Sequence, residues 1–377
     1  MIRFLGGCVH DSRRRNRLIG SQDYDLSVKT LVSGGAGFIG SHLVDALVAR
    51  GDEVVVIDNL STGRGENIAD AMAKGATLVP ADVTDLAAVE RICSNAKPER
   101  VFHLAAQVDV RVSVNDPGLD VRVNVEGTVN LLEAARRAGA SGFVLASSCA
   151  VYGEPADENV PLTEDAPTRP GSPYGQAKLA AEGYVSLYCE LHGLKAASLR
   201  FGNVYGPRQG AVGEAGVVSI FCRELLQGGR PTVFGDGKQT RDFVYVGDVV
   251  EALLAASDAG ATGEYNVGTG RETSVLELVD HLATIGGRSD FLPVPKPPRA
   301  GEIDRMALDA SRLRGTFGWA EKVPVEVGLR RTWEFSQKRR HAPGRQPGAA
   351  ATPPLEAGGQ SGSPTIPGEM SSPESIG

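Results

Sequence analysis

Tyr174 and Lys178 stand four residues apart in a segment whose pattern predicts a helix from Ser172-Pro173 to His192, so their side chains share one face. A tyrosine hydroxyl ordinarily loses its proton near pH ~10. An ammonium a few ångströms away favours the phenolate and lowers that value. A phenolate so poised takes the proton of an alcohol while the carbinol carbon gives hydride to an acceptor. Ser148 supplies a second hydroxyl for the same oxygen. It ends the apolar run Phe143–Ala146 and lies four residues before Tyr152 in Ser147-Ser148-Cys149-Ala150-Val151-Tyr152-Gly153, which favours it over Ser147. A Tyr-x-x-x-Lys spacing is common on helices. It gains force only if the chain also holds a hydride acceptor.

The stretch from Val28 to Asp58 has the pattern of such a holder. The apolar pair Leu31-Val32 leads into Ser33-Gly34-Gly35-Ala36-Gly37-Phe38-Ile39-Gly40, an amphipathic segment follows to Arg50, and Val54–Ile57 ends on Asp58. Gly34, Gly37 and Gly40 permit a tight turn, approach to a pyrophosphate, and close seating of a helix on a sheet. The free N–H groups at Phe38, Ile39 and Gly40 then face the phosphates. Asp58 lies roughly 20 residues on, where a carboxylate accepts from both ribose hydroxyls of an adenosine and repels a 2′-phosphate. The pattern therefore selects NAD over NADP.

The elements that position these groups alternate regularly. Strands are expected at Leu31-Val32, Val54–Ile57, Thr77–Pro80, Val101–Leu104, Phe143–Ala146 and Ala196–Arg200, with helices at Ser41–Arg50, Val121–Ala138 and Ser172–His192. Alternation at this spacing argues an α/β fold, a Rossmann-like doubly wound parallel sheet. Loops past strand tips line the cofactor crevice in such sheets, which adds Asn59, Gly63, Asp82, Val83, Leu104, Ala105 and Ala106 to the cofactor set. His103 sits inside an apolar strand and reads as a core residue. After residue 200 the pattern loosens into a turn at Gly213–Gly216, helices at Val217–Leu226 and Ser274–Ile285, and short strands at Thr232–Phe234 and Asp242–Tyr245. The division expected is an NAD-binding domain at 28–200, with some later elements returning to it, and a smaller C-terminal substrate-binding domain at 201–335. A disordered extension at 1–27 and a disordered tail rich in Pro, Gly and Ser at 336–377 complete it.

The net charge of -7 gives no case for nucleic acid, and no apolar run is long enough to span a bilayer. Cys8, Cys93, Cys149, Cys189 and Cys222 are scattered, with no CxxC pair and no metal-like spacing, so no metal is expected and a reducing, cytoplasmic setting is.

With these motifs the chain resembles the extended short-chain dehydrogenase/reductases, the NAD-dependent epimerase/dehydratase family, and within them the UDP-glucose 4-epimerases. Arg200-Phe201-Gly202-Asn203-Val204-Tyr205-Gly206-Pro207, Arg241-Asp242-Phe243-Val244 and Arg299-Ala300-Gly301-Glu302 carry it further, over roughly residues 28 to 335. The resemblance implies Asn124 and Phe201 near the NAD. It implies Asn203, Val217 and Phe234 against a UDP-sugar, Arg241 and Arg299 clamping its diphosphate, and Glu302 on the uridine ribose. The implied reaction interconverts UDP-glucose and UDP-galactose through a transient 4-keto sugar.

Two sister activities fit less well. Dehydratases of this kind carry Asp and Glu where Cys149 and Ala150 stand, and UDP-glucuronate decarboxylases carry Glu in place of Ala150. Epimerases of UDP-glucuronate or of UDP-N-acetylhexosamines remain open, since the flexible Met306, near the position that limits room for an N-acetyl group, does not decide. A non-catalytic NAD-binding sensor would be expected to lose Tyr174 or Lys178. A homodimer is implied, formed by the helices of Asn124–Ala138 and Tyr174–His192, whose apolar residues (Val129, Leu132, Tyr184, Leu187, Tyr188) exceed one face.

Overall fold

A computed structural model describes residues 27–156, 159–210, 216–299 and 303–341. The expected extension at 1–27, apart from Ser27, and most of the Gly213–Gly216 turn lie outside the described residues, as does the tail beyond 341. The chain divides into two units, 1–337 and 338–377; of the second only the last turn of a helix is described.

Among the described residues the strands run in chain order as β1 (Lys29–Ser33), β2 (Glu53–Asp58), β3 (Thr77–Pro80), β4 (Arg100–His103), β5 (Gly142–Ser148), β6 (Lys195–Phe201), β7 (Asn203–Tyr205), β8 (Thr232–Phe234), β9 (Thr240–Arg241), β10 (Phe243–Tyr245), β11 (Gly263–Val267), β12 (Thr273–Ser274) and β13 (Val294–Lys296). The helices are α1 (Phe38–Arg50), α2 (Ala69–Ala73), α3 (Leu86–Ala96), α4 (Val110–Asn115), α5 (Pro117–Val121), α6 (Gly127–Ala138), α7 (Pro173–His192), α8 (Val217–Gln227), α9 (Val246–Asp258), α10 (Val275–Gly286), α11 (Ser311–Phe317) and α12 (Val325–His341).

Seven strands form one parallel sheet in the order β11-β6-β5-β4-β1-β2-β3. Its strands read as continuous apolar runs because helices cover both faces. On one face Val32, Val56, Phe102 and Leu199 pack with Leu43, Leu47, Val249 and Leu253 of α1 and α9. On the other, Leu31, Ile57, Phe143 and Leu145 meet Val89, Leu131, Leu132, Ala181 and Val185 of α3, α6 and α7. The strand order reverses between β1 and β4, and that switch point opens a crevice at the strands' carboxyl ends.

After residue 201 the chain does two things. α9 and β11 return to the large sheet, as expected. The pairs β7–β10, β8–β13 and β9–β12, with α8, α10 and α12, build a lobe around Phe221, Leu225, Leu278, Leu282, Phe291 and Trp333.

Three expectations change. The helix expected at Val121–Ala138 is broken: α5 ends at Val121, Arg122–Glu126 form one π-helical turn, and α6 begins at Gly127. A single π-turn widens the helix by one residue over too short a stretch to stand out against the α-helical period on either side. The strand expected at Asp242–Tyr245 starts one residue later, as β10, because Asp242 parts it from β9 and its buried carboxylate turns away to bind other loops. Finally, α12 runs through the boundary placed at 335, because Gln337-Lys338-Arg339-Arg340 are good helix formers and the first proline is Pro343.

Candidate active site

The glycine turn is built by close approach. A Cβ on Gly34 would lie 2.5 Å from Ala105 N, and one on Gly40 would lie 2.2 Å from Gly34 O. A Cβ on Gly37 meets only Gly34 O, at 3.1 Å, so the space above the start of α1 is left open. Gly37 gives α1 no side-chain cap, and the helix's first intrahelical bond from beyond the turn is Ser41 N to Gly37 O. The N–H groups of Phe38, Ile39 and Gly40 are thus offered to an anion. At the tip of β2 the Asp58 carboxylate accepts from Ala36 N at 2.9 Å and Leu60 N at 2.8 Å, using half of its lone pairs. A Cβ on Gly63 would sit 2.7 Å from Asp58 Oδ1, so glycine there keeps the carboxylate accessible. These features fit a dinucleotide.

The rest of the cofactor set is placed unevenly. Leu104, Ala105 and Ala106 follow β4 at the switch point, half-buried. Asn59 donates to Asp82 Oδ2 at 2.7 Å, which joins the tips of β2 and β3. Asn124, in the π-turn, is buried and bonds Gln107 at both main-chain atoms, 3.0 and 2.8 Å, so it holds the strap after β4. The Val83 and Phe201 side chains lie in the two cores, Val83 against the Cβ position of Gly127.

Ser172 caps α7 by accepting from Gly175 N, and Pro173 opens its first turn. Tyr174 follows half-buried, its N–H donating to Ser113 Oγ at 3.1 Å. One turn on, Lys178 is buried and donates to Ala146 O at 3.0 Å. Burial holds its pKa down to about 8, against the upward pull of Asp120 and Glu182. Of the two serines, Ser147 is buried and donates to Glu182 Oε1 at 2.5 Å. Ser148 ends β5 half-buried and accepts from Ala150 N at 3.2 Å, and its hydroxyl also reaches the Cys149 thiol. His103 is a core residue as expected. Ser33 Oγ lies 2.7 Å from Nδ1 and Thr128 Oγ1 lies 3.0 Å from Nε2; because Thr128 donates to Asn124 O, the Nε2 atom carries the proton. Burial, then the nearby Lys178, push its pKa down to about 3.

The lobe carries the remaining candidates. Arg299 lies over the Phe234 ring, 3.7 Å from its centre, in a groove also lined by Gln239, Lys296 and Asp304. Asp304 O accepts from Thr240 N at 2.9 Å, which ties that groove to the strand of Arg241. Arg241 is half-buried, donates to Thr240 O, and its charge is felt at Cys149, whose thiol burial pushes up to about 11. Asn203 begins β7 and Val217 begins α8, both half-buried. Glu302 lies outside the described residues. Met306 is buried among Val151, Tyr152, Leu162 and Leu308, beneath Cys149.

Residues 30–268 match the family described as the NAD dependent epimerase/dehydratase family. The UDP-glucose 4-epimerase of Mycolicibacterium smegmatis is 46% identical over 315 residues, 83% of this chain and 99% of that one. The crystal structure of the Thermotoga maritima UDP-glucose 4-epimerase with UDP-glucose superposes with TM-score 0.79 at 43% identity, over 82% of this chain and 99% of that one. The Thermus thermophilus UDP-glucose 4-epimerase in complex with NAD gives 0.77 at 44%, over 82% and 98%. The chain belongs to the NAD-dependent epimerase/dehydratase family.

Two buried clusters of this family member escape sequence reasoning. Glu182, one turn beyond Lys178, takes Arg200 Nε at 3.0 Å and Nη2 at 2.7 Å; Arg200 Nη1 donates to Tyr152 OH at 3.0 Å, and Tyr152 OH donates to Asn266 Oδ1 at 2.7 Å. This chain links α7, β6, β11 and the turn after β5. Removing one member of a buried pair costs about 3–5 kcal/mol, since the other charge stays buried. Asp242 likewise gathers Thr269 N, Thr269 Oγ1, Gly270 N and Leu308 N, which draws two loops onto the strand of Arg241. The available signals were Arg200 and Asp242 inside motifs already singled out for the neighbouring residues.

Proposed function

We propose that this chain interconverts UDP-glucose and UDP-galactose at C4, with NAD as cofactor. The observation that carries the reading is the buried Lys178, one turn beyond Tyr174 on α7 and bonded to Ala146 O in β5, the strand that ends on Ser148, with Cys149 and Ala150 where an elimination would need carboxylates. The family match and the names of the similar enzymes support it. Held at the turn of Gly34, Gly37 and Gly40 and by Asp58, NAD would supply reversible hydride acceptance at C4.

The protein's own residues do the rest. Tyr174 takes the proton of the sugar 4-hydroxyl and gives it back, and the Lys178 ammonium favours its phenolate. Ser148 donates a hydrogen bond to the same oxygen. Arg241 and Arg299 hold the diphosphate, so the sugar presents either face while its anchor stays fixed. Residues 28–200 serve the cofactor and 201–335 the sugar nucleotide. A homodimer is proposed from an apolar stripe on α7 and α4 (below). The four described cysteines Cys93, Cys149, Cys189 and Cys222 are free thiols, which supports a cytoplasmic setting. Among the described residues no helix is long and apolar enough to cross a membrane.

The test is Tyr174→Phe. The variant should keep NAD and UDP binding and lose about 10²–10⁴-fold in kcat, the range for a positioned acid–base group. Unchanged turnover would remove Tyr174 from the mechanism.

A further inference from the structure

Asp120 on α5 is fully buried, and only half of its carboxylate is used. Oδ1 accepts from Gln107 Nε2 at 2.7 Å and from Asn124 Nδ2 at 3.1 Å. Oδ2 is shut off from solvent, and among the described residues nothing donates to it. A buried carboxylate oxygen without a donor keeps its full desolvation penalty, so a structure retains one only where something answers it. The missing partner has an address. Lys178 is also buried, and of its three ammonium protons one is bonded, to Ala146 O. α5 packs against α7, and the charge of Asp120 is felt at Lys178 although no direct bond joins them.

We propose that Asp120 is the counter-ion of Lys178, with a water on Oδ2 that accepts from the ammonium, and that it acts as a positioning residue for the Tyr174–Lys178 pair. Its other oxygen holds Gln107 and Asn124, so the same carboxylate ties the strap at the cofactor crevice to the charge of the acid–base pair. A bridging water is the species that satisfies an acceptor and a donor too far apart to meet. The other titratable groups facing Lys178 do not fill the role. Glu182, on α7 itself, is bonded to Arg200 and Ser147. His103, from β4, is neutral with both ring nitrogens engaged. Tyr174 is the group the ammonium serves. The inference rests on the acid–base reading of Tyr174 and Lys178, and the experiment separates the two.

The full-length protein, its Asp120→Asn form and its Asp120→Ser form would be labelled with ¹³C at lysine Cε, and Lys178 assigned by its absence in Lys178→Arg. In both neutral variants the Lys178 midpoint should fall by about one pH unit, the low end for loss of a neighbouring opposite charge. The alkaline limb of the kcat profile should move with it while KM for UDP-galactose holds. An unmoved midpoint with a uniform loss of kcat would leave Asp120 a purely structural residue and overturn the proposal. If neither variant folds, the wild type decides: a crystal structure at atomic resolution should show a water bonded to Asp120 Oδ2 and Lys178 Nζ, and a dry Oδ2 overturns it. If instead Tyr174→Phe stayed active, the acid–base reading would fail while the titration result stood.

Discussion

Lys178 and His103 show how one buried neighbourhood sets two charges in opposite senses. Burial pushes both pKa values down; Asp120 and Glu182 pull that of Lys178 back up, to about 8, whereas the nearby Lys178 pushes that of His103 further down, to about 3. The histidine has a consequence for stability. Its folded pKa is depressed to about 3, against an ordinary value near 6.5. Between those values the unfolded chain binds a proton that the folded chain does not, so the contribution is present above pH ~6.5 and is lost as pH falls through that window. His103→Gln should flatten the fall of unfolding free energy between pH 6.5 and 4 by up to about one proton, about 1.4 kcal/mol per pH unit. Urea unfolding of both forms across that range measures it, and equal slopes would refute it. At this scale the sequence was partly legible. Tyr174 and Lys178 share a face by spacing alone, and Asp58 ends a strand. Asp120 and Glu182 carried no local signal, and Asp242 only its place in a motif, because a buried carboxylate is defined by partners such as Gln107, Arg200 and Leu308 that only the fold brings to it.

Among the elements, α1 illustrates how unequal two helix-end glycines are. At its start, a methyl on Gly40 would drive into Gly34 O and Gly35 Cα, and the turn has to open to admit it. At its end, Gly51 has φ 94° with open space around it. Gly40→Ala should therefore weaken NAD binding at least about 10-fold and lower the melting temperature. Gly51→Ala should cost about 1–2 kcal/mol of left-handed strain and leave NAD affinity unchanged. Calorimetric titration with NAD, alongside thermal melts, separates the two; equal effects on affinity would be contrary. The regular elements were legible because each writes its own period and caps. α7 begins and ends at the expected Ser172-Pro173 and Gly193, and β3 at Thr77 and Pro80. The π-turn at Arg122–Glu126 was not, since one inserted residue is too short a break to write a period of its own.

For the whole molecule, the open question that physics addresses best is association. Tyr184, Leu187 and Leu191 are exposed at three- and four-residue spacing on α7, and Val110 and Val114 are exposed on α4. Val121 extends the patch on α5. Apolar side chains exposed on helices that pack together are the surface the proposed dimer would bury. Leu132, assigned to that face by its apolar character, is instead fully buried against the sheet in the second core. A periodic helix cannot tell which of two apolar faces meets the sheet. Leu187→Glu with Leu191→Glu should convert a dimer into a monomer in sedimentation while the fold, read by circular dichroism, is kept. A wild-type chain that stays monomeric at all concentrations would refute the interface.

Everything in the site converges on one outcome for the sugar: the configuration at C4 changes and nothing is lost. Incubation of the purified protein with UDP-galactose and NAD, with products resolved by NMR and mass spectrometry, tests this most directly. The expected product is UDP-glucose, an isomer of equal mass, approaching a fixed ratio from either side. A product lighter by one water or one carbon dioxide, or no conversion by a folded protein that binds NAD, would contradict it.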